Sequence, residues 1–243
     1  MSNKIFSIKT EKINNVLFLI ITVCGIKIKF KNFNKKEIKK DKFLEEPQIF
    51  PIILTDLEKN LLTKIMNETL NYLEFGSGGS TFLALFSKNT KNIISVESDE
   101  NWLNYLREWK IIKNSEINKR LLFKCVNIGP TGEYGIPTDE SSKNLFPDYS
   151  SLIFKENYFN NNYDTVFIDG RFRVACALQT ILNCPKTTKI FIHDFSNREE
   201  YHFILKYLDI IEVMDTLCLF KIKDNINFDD VQKDYEIYKY NFK

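Results

Sequence analysis

Polar residues stand where apolar runs end: Glu74, Glu97, Asn127, Asp169 and the adjacent pair His193-Asp194. Asp169, His193 and Asp194 are the candidates for proton chemistry. A hydroxyl nucleophile must lose its proton as it attacks, so a base has to stand within hydrogen-bond reach. Histidine, with an ordinary pKa of about 6.5, suits that task. A carboxylate beside it can fix its tautomer, or take the proton itself if desolvation raises its pKa. Asp194 is alternatively placed to cap the next segment. Arg171 and Arg173 come directly after Asp169. Guanidinium matches phosphate and carboxylate groups bidentately, so both arginines are candidates for an anionic substrate, with ion pairs to neighbouring acids as the alternative. A divalent metal is not favoured; if one is used, Asp169 and Asp194 are its natural oxygen ligands. The only other histidine, His202, falls in an expected helix and reads as structural or exposed.

A second group of residues suits a nucleotide-like ligand. Leu73–Leu85 reads LEFGSGGSTFLAL: an acid ends an apolar run, then a glycine-rich turn leads into a helix. Glycine lets the backbone turn sharply and approach a ligand without a Cβ clash. Glu97 lies 97 − 76 = 21 residues beyond Gly76, the spacing at which an acid accepts from ribose hydroxyls. A phosphate-binding loop would need Gly-Lys-Ser/Thr here, and no lysine is present. A dinucleotide turn would need a small residue at Thr81, and the one Tyr-x-x-x-Lys pair, Tyr235/Lys239, lies in the tail. S-adenosylmethionine (SAM) is the third candidate, having no pyrophosphate to cradle.

These residues need elements to hold them. Thr55-Asp-Leu-Glu58 has the form of a capping box, opening a helix expected to reach Leu70. Expected strands lie at 71–75, 92–97, 120–128, 163–169 and 188–194, with helices at 81–88, 99–110, 173–182 and 198–208 between them. Strands at 210–215 and 216–223 read as a closing hairpin. Gly129–Ser150, rich in Gly, Pro, Ser, Thr and Asp, reads as a long functional loop in which Tyr134 folds over the site. Trp102 reads as core. Strands alternating with helices imply an α/β doubly wound sheet, with ligands bound at the carboxyl ends of the strands.

Residues 51–223 resemble the class I SAM-dependent methyltransferases. The resemblance rests on Leu73–Ser80, on Glu97, on Tyr163–Gly170 (YDTVFIDG) and on the closing IIEVMDTLCLFKIK; Ser80 stands where a third glycine is common. It implies a Rossmann-like fold, mostly parallel with a C-terminal antiparallel hairpin. It also implies SAM as cofactor, with Glu74, Gly76, Ser77 and Gly78 at its amino-acid end, Glu97 at the ribose and Asn127 at the adenine. VFIDGR and FIHDFxxREx-Tyr are similar, more loosely, to bacterial sugar or glycan O-methyltransferases and plant glucuronoxylan O-methyltransferases. That likeness implies a hydroxyl acceptor on a sugar, nucleotide sugar or cell-surface glycan precursor. The alternatives are a non-sugar phosphorylated metabolite and a silent SAM-binding scaffold.

The bulk composition bounds the rest. A chain of 243 residues, 44% hydrophobic, holds one core domain of 51–243 with an appended segment, 1–50. A net charge of +2 and the lack of an Asn/Asp-Pro-Pro-aromatic stretch argue against a nucleic-acid partner. Five scattered cysteines without ligand spacing read as reduced thiols, which points to the cytoplasm. The apolar run Val16–Ile26 is shorter than the roughly 20 residues that span a bilayer. Lysines crowd the stretch after it, and residues 26–31 alternate as a strand does. Residues 16–42 are therefore a candidate for peripheral attachment to the inner face of a membrane.

Overall fold

The structure, a computed structural model, describes residues 47 and 49–242, and the backbone of 6–13, 16–23 and 26–31. Contacts divide the chain into units 1–45 and 46–243. The first unit is an antiparallel sheet of β1 (Phe6–Ile13), β2 (Val16–Val23) and β3 (Ile26–Lys31), in that order. The strand expected at 26–31 is β3. Cys24 and residues 32–42 of the proposed membrane-attachment segment lie outside the described residues.

The second unit is built on seven strands: β4 (Asn71–Phe75), β5 (Asn92–Glu97), β6 (Leu121–Cys125), β7 (Thr165–Ile168), β8 (Lys189–Ile192), β9 (Leu208–Met214) and β10 (Leu217–Ile222). Their order is β6-β5-β4-β7-β8-β10-β9. The first five run parallel, and β10 runs antiparallel to both β8 and β9. This is the doubly wound α/β sheet with a closing hairpin. Residues alternate between two apolar layers, as a strand's period of two requires. Val166, Ile168 and Ile190 join one layer, with α5 (Phe146–Lys155), α6 (Arg173–Asn183) and α7 (Phe228–Tyr238). Phe167, Phe191 and Tyr72 join the other, with α1 (Asp56–Met66), α2 (Gly79–Phe86), α3 (Glu100–Leu106) and α4 (Lys110–Ile117).

Several boundaries differ from expectation for local reasons. The Thr55–Glu58 capping box forms, but α1 ends at Met66 rather than Leu70. Thr69 turns its hydroxyl back to the Ile65 carbonyl and meets Thr165 Oγ1 at 2.7 Å, which draws the chain into the sheet. The helix expected over 99–110 is two, α3 and α4, broken at Trp109. Trp109 takes an extended backbone (ψ 132°) and is fully buried, its ring edge-on to Phe82 at 5.4 Å. The long loop ends early, because Pro147 opens α5 at 146. The segment at 199–206 is 3-10 rather than α-helical. The tail forms α7, capped by Asn227 and pinned by buried Val231 and Tyr235. The last turn of α2 is finished by Arg120, whose guanidinium donates to the carbonyls of Ala84, Leu85, Ser87 and Thr90. Among the described residues no helix is long and apolar enough to cross a membrane.

Candidate active site

The sheet reverses direction of growth at β4, which pairs with β5 on one side and β7 on the other. The crevice that opens there is shaped by glycine. Gly76 has φ +94°, and a Cβ on it would lie 2.6 Å from the backbone nitrogen of Gly170. A Cβ on Gly170 would collide with the Tyr149 hydroxyl. The turns after β4 and β7 therefore touch backbone to backbone. A Cβ on Gly79 would lie 2.7 Å from Cα of Ile52, so the segment ahead of α1 crosses the start of α2.

Three acids support this turn and its surroundings differently. Glu74 is fully buried and accepts from the hydroxyls of Tyr72 (3.0 Å), Ser80 (2.5 Å) and Thr81. Burial outweighs those bonds and pushes its carboxyl up to about 7. Thr81 Oγ1 also accepts from the Gly78 N–H (3.0 Å), so Ser80 and Thr81 lock α2 onto Glu74. Glu97 ends β5; its Oε1 accepts from the N–H groups of Ser98 (2.6 Å) and Asp99 (3.1 Å), and Oε2 from that of Ser77 (3.1 Å). Burial raises its pKa despite these bonds. The third acid, Glu58 on α1, is buried and accepts from the Thr55 N–H (2.9 Å) and from the N–H (3.0 Å) and hydroxyl (2.8 Å) of Thr216.

Asp169 and His193 directly follow the paired ends of β7 and β8 (Ile168 opposite Ile192), so they stand side by side. His193 Nδ1 lies 3.0 Å from Asp169 Oδ1, and its Nε2 lies 3.5 Å from Glu58 Oε2. Burial opposes charge on this ring, but Asp169, Asp194 and Glu58 outweigh it and raise its pKa. Asp194 is held in the left-handed region (φ +56°) and pairs with Arg173 (3.2 Å) and Arg198 (3.1 Å). Arg173 is buried; it pairs with Asp169 Oδ1 (3.0 Å) and donates to the carbonyls of Gly170 (3.1 Å) and His193. Tyr201 lies under both guanidiniums, at 5.4 Å from Arg173 and 5.8 Å from Arg198. Arg171 is different. No anion pairs with it among the described residues, and its buried Nε has no hydrogen-bond partner. Burial and the neighbouring Arg173 lower its pKa. A cavity of about 340 Å³ opens beside His193, lined by Ile53, Leu54, Thr55, Glu58 and Thr216.

The loop after β6 reaches this crevice. Gly135 (φ +67°) lies where a Cβ would stand 3.2 Å from Ser98 Oγ, 3.9 Å from Glu97 Oε1 and 4.0 Å from Arg171 Cγ. Tyr134 beside it is also left-handed, at φ +56°, and 82% exposed.

No protein-family model and no curated protein matches the chain. A solved structure does: a methyltransferase-like protein from Silicibacter pomeroyi, 26% identical, covering 80% of this chain and 98% of that one, with a TM-score of 0.68. Two weaker likenesses are to a protein designated an O-methyltransferase from Klebsiella pneumoniae (13% identical, 70% and 81% covered, TM-score 0.47) and one designated a caffeoyl-CoA O-methyltransferase from Staphylococcus aureus (15%, 72% and 86%, TM-score 0.48). The strand order and the first of these matches decide the fold. This is a class I SAM-dependent methyltransferase fold.

SAM is the cofactor of that fold, and the residues present suit it. Gly78 leaves backbone bare beside the ring of Trp102, whose Nε1 donates to the Ser77 carbonyl (2.7 Å). Trp102 is half-buried against the turn rather than wholly core. Glu97 Oε2 has a single donor and can accept another.

Four expectations for a methyltransferase site are corrected by the geometry. Glu74 does not line the crevice: it is buried beneath the turn and committed to three hydroxyls. Asn127 is an exposed turn residue whose Oδ1 accepts from the Gly129 N–H (2.9 Å). Arg173 is an internal ion-pair partner, not an open anion site. Tyr134 points to solvent, and it is Gly135 that meets the crevice. Asp169, His193 and Asp194 do cluster within ligating distance of one another, but Arg173 and Arg198 already sit between and around the carboxylates. That donor set is charge-balanced by guanidinium and does not suit a divalent cation. His202 is structural, its Nε2 3.0 Å from the Phe195 carbonyl. Glu58, Arg198 and Thr216 had no site role in the sequence; Glu58 was legible only as a helix cap.

Proposed function

We propose that this chain transfers the methyl group of SAM to a hydroxyl of a small anionic acceptor, most simply a sugar, nucleotide sugar or glycan precursor. The observation that carries this reading is the meeting of two half-sites in one crevice. The glycine turn and Glu97 lie on one side, and Asp169 with unpaired Arg171 lies on the other.

SAM, when bound, supplies a methyl group on a positively charged sulfur. Glu97 and the backbone of Gly76–Gly78 hold its ribose and amino-acid ends. Asp169 Oδ1 is occupied by Arg173 and His193, which leaves Oδ2 to face the acceptor hydroxyl. The acceptor oxygen forms its new bond to carbon as the carbon–sulfur bond breaks, and the hydroxyl proton passes to Asp169 Oδ2. A methylated oxygen that still bears a proton is a far stronger acid than a carboxylic acid, so Asp169 takes the proton even beside two cationic groups. Arg171 binds the acceptor's phosphate or carboxylate, since a partly buried guanidinium without a partner is costly until an anion meets it. Gly135 and its loop cover Glu97 and exclude water. We place the reaction in the cytoplasm, with residues 16–42 as a contact to anionic lipid.

Calorimetric titration with SAM and with its demethylated product tests the cofactor half: no binding at millimolar concentration would overturn the reading. Release of the demethylated product with nucleotide sugars, sugar phosphates and their neutral counterparts then tests the acceptor. Turnover with neutral sugars as good as with charged ones would exclude the role given to Arg171.

A further inference from the structure

His193 is held at both ring nitrogens by residues from distant parts of the chain. Asp169, after β7, faces Nδ1 at 3.0 Å; Glu58, on α1, faces Nε2 at 3.5 Å. Asp194, the next residue, lies 3.8 Å from Nδ1. From α6, Arg173 approaches only the backbone carbonyl of His193, and from the turn before β10, Thr216 meets Glu58. The groups facing the ring are thus three carboxylates. A neutral imidazole has one N–H, and its other nitrogen would then point a lone pair at a carboxylate. Only the doubly protonated ring presents an N–H to both carboxylates, a hydrogen bond to Asp169 and an ion pair with Glu58.

We infer that Glu58 is a positioning residue: with Asp169 it clamps His193 as a fixed imidazolium, which orients Asp169 and is not the group that takes the acceptor's proton. Glu58 is suited to this because its carboxylate is itself fixed. Oε1 takes both donors of Thr216, and Oε2 takes the Thr55 N–H, so the carboxylate cannot swing away from the ring. Burial works against charge on Glu58, but the bonds from Thr55 and Thr216 and the charge of His193 hold its pKa below the ordinary value. Both members of the Glu58–His193 pair therefore favour their charged forms. The Glu58 carboxylate thereby joins three elements: α1, the end of β8 through His193, and the turn of the β9–β10 hairpin through Thr216. The role given to Asp169 rests on the methyl-transfer reading; the charge state of His193 does not.

Proton NMR of the histidine rings tests this directly, because the chain has only two histidines and the His202→Gln variant assigns them. His193 in the wild-type chain is expected to titrate above about 6.5. Glu58→Gln, which preserves the capping box, should lower that midpoint by roughly one unit or more. Glu58→Asp, with the carboxylate drawn back by one methylene, should lower it less, and serves if the glutamine variant folds poorly. Thr216→Val, which leaves the Glu58 charge in place, should keep the midpoint raised. A wild-type midpoint at or below 6.5, or one unmoved in Glu58→Gln, would overturn the clamp. In methyl-transfer assays, an acid limb of kcat/KM that tracks the His193 midpoint from variant to variant would make His193 the base and overturn the assignment to Asp169. Failure to bind SAM would instead sink the methyl-transfer reading, and the ring titrations would still decide the charge state.

Discussion

Glu74 is the residue whose chemistry was least visible from its neighbours. In the sequence it is the acid of a cofactor-binding turn, and in the structure it is a strut beneath that turn. Its protonated form is favoured in the fold, with a pKa of about 7 against 4.5 for a free side chain. As pH rises from 4.5 towards 7, the unfolded chain gives up this proton and the folded chain keeps it, so stability falls across that window and levels off above it. A shift of this size corresponds to ~3 kcal/mol. His193 acts in the same direction: its raised folded pKa gives stability that is complete below about 6.5 and lost as pH climbs through the folded value. Thermal melts should therefore show a lower Tm at pH 8 than at pH 5.5, and Glu74→Gln should flatten most of that slope. At the crevice, Asp169→Asn should lower turnover by ~10²–10⁴ and leave SAM affinity nearly intact in calorimetry. Arg171→Gln should raise the KM of a charged acceptor roughly 10- to 100-fold, from the loss of charge-assisted hydrogen bonds. An equal loss with a neutral acceptor would count against an anion at that position.

At the scale of elements, the contact between the turns after β4 and β7 is the most demanding. Gly76→Ala would force a side chain into φ +94° and against the Gly170 backbone. The cost should be at least ~2 kcal/mol, seen as a lower Tm together with lost SAM binding. The strands were legible because each is a short apolar run closed by a polar residue, and their alternation with helices left few arrangements of the sheet. Asp169 and His193 were legible for the same reason, since both come directly after strands that a parallel order makes neighbours. What was not legible depended on contacts across the fold. Trp109 splits a helix because its ring is wanted in the core beside Phe82. The tail holds α7 through buried Val231 and Tyr235 and half-buried Tyr238, too few apolar positions to register as a period. Arg173 and Arg171 look alike in sequence, two residues apart, and only the positions of Asp169 and Asp194 in the fold separate an ion pair from an open cation. Glu58 could be read as a cap but not as a partner of His193, which lies 193 − 58 = 135 residues away.

At the scale of the molecule, every residue given a part in methyl transfer lies in the unit 46–243, which also contains both apolar layers. A chain beginning at Glu46 should accordingly fold cooperatively and bind SAM with the affinity of the full chain, as calorimetry would check; weaker binding would contradict this. The helix that carries the glycine turn raises a question of timing. With eight residues, α2 is too short to persist alone, and the carbonyls of its last turn are met by Arg120, more than thirty residues further on. During synthesis the glycine turn thus leaves the ribosome well before the arginine that completes its helix. The cofactor cradle is complete only once β5 has joined β4 and β6, directly after Arg120, has joined β5.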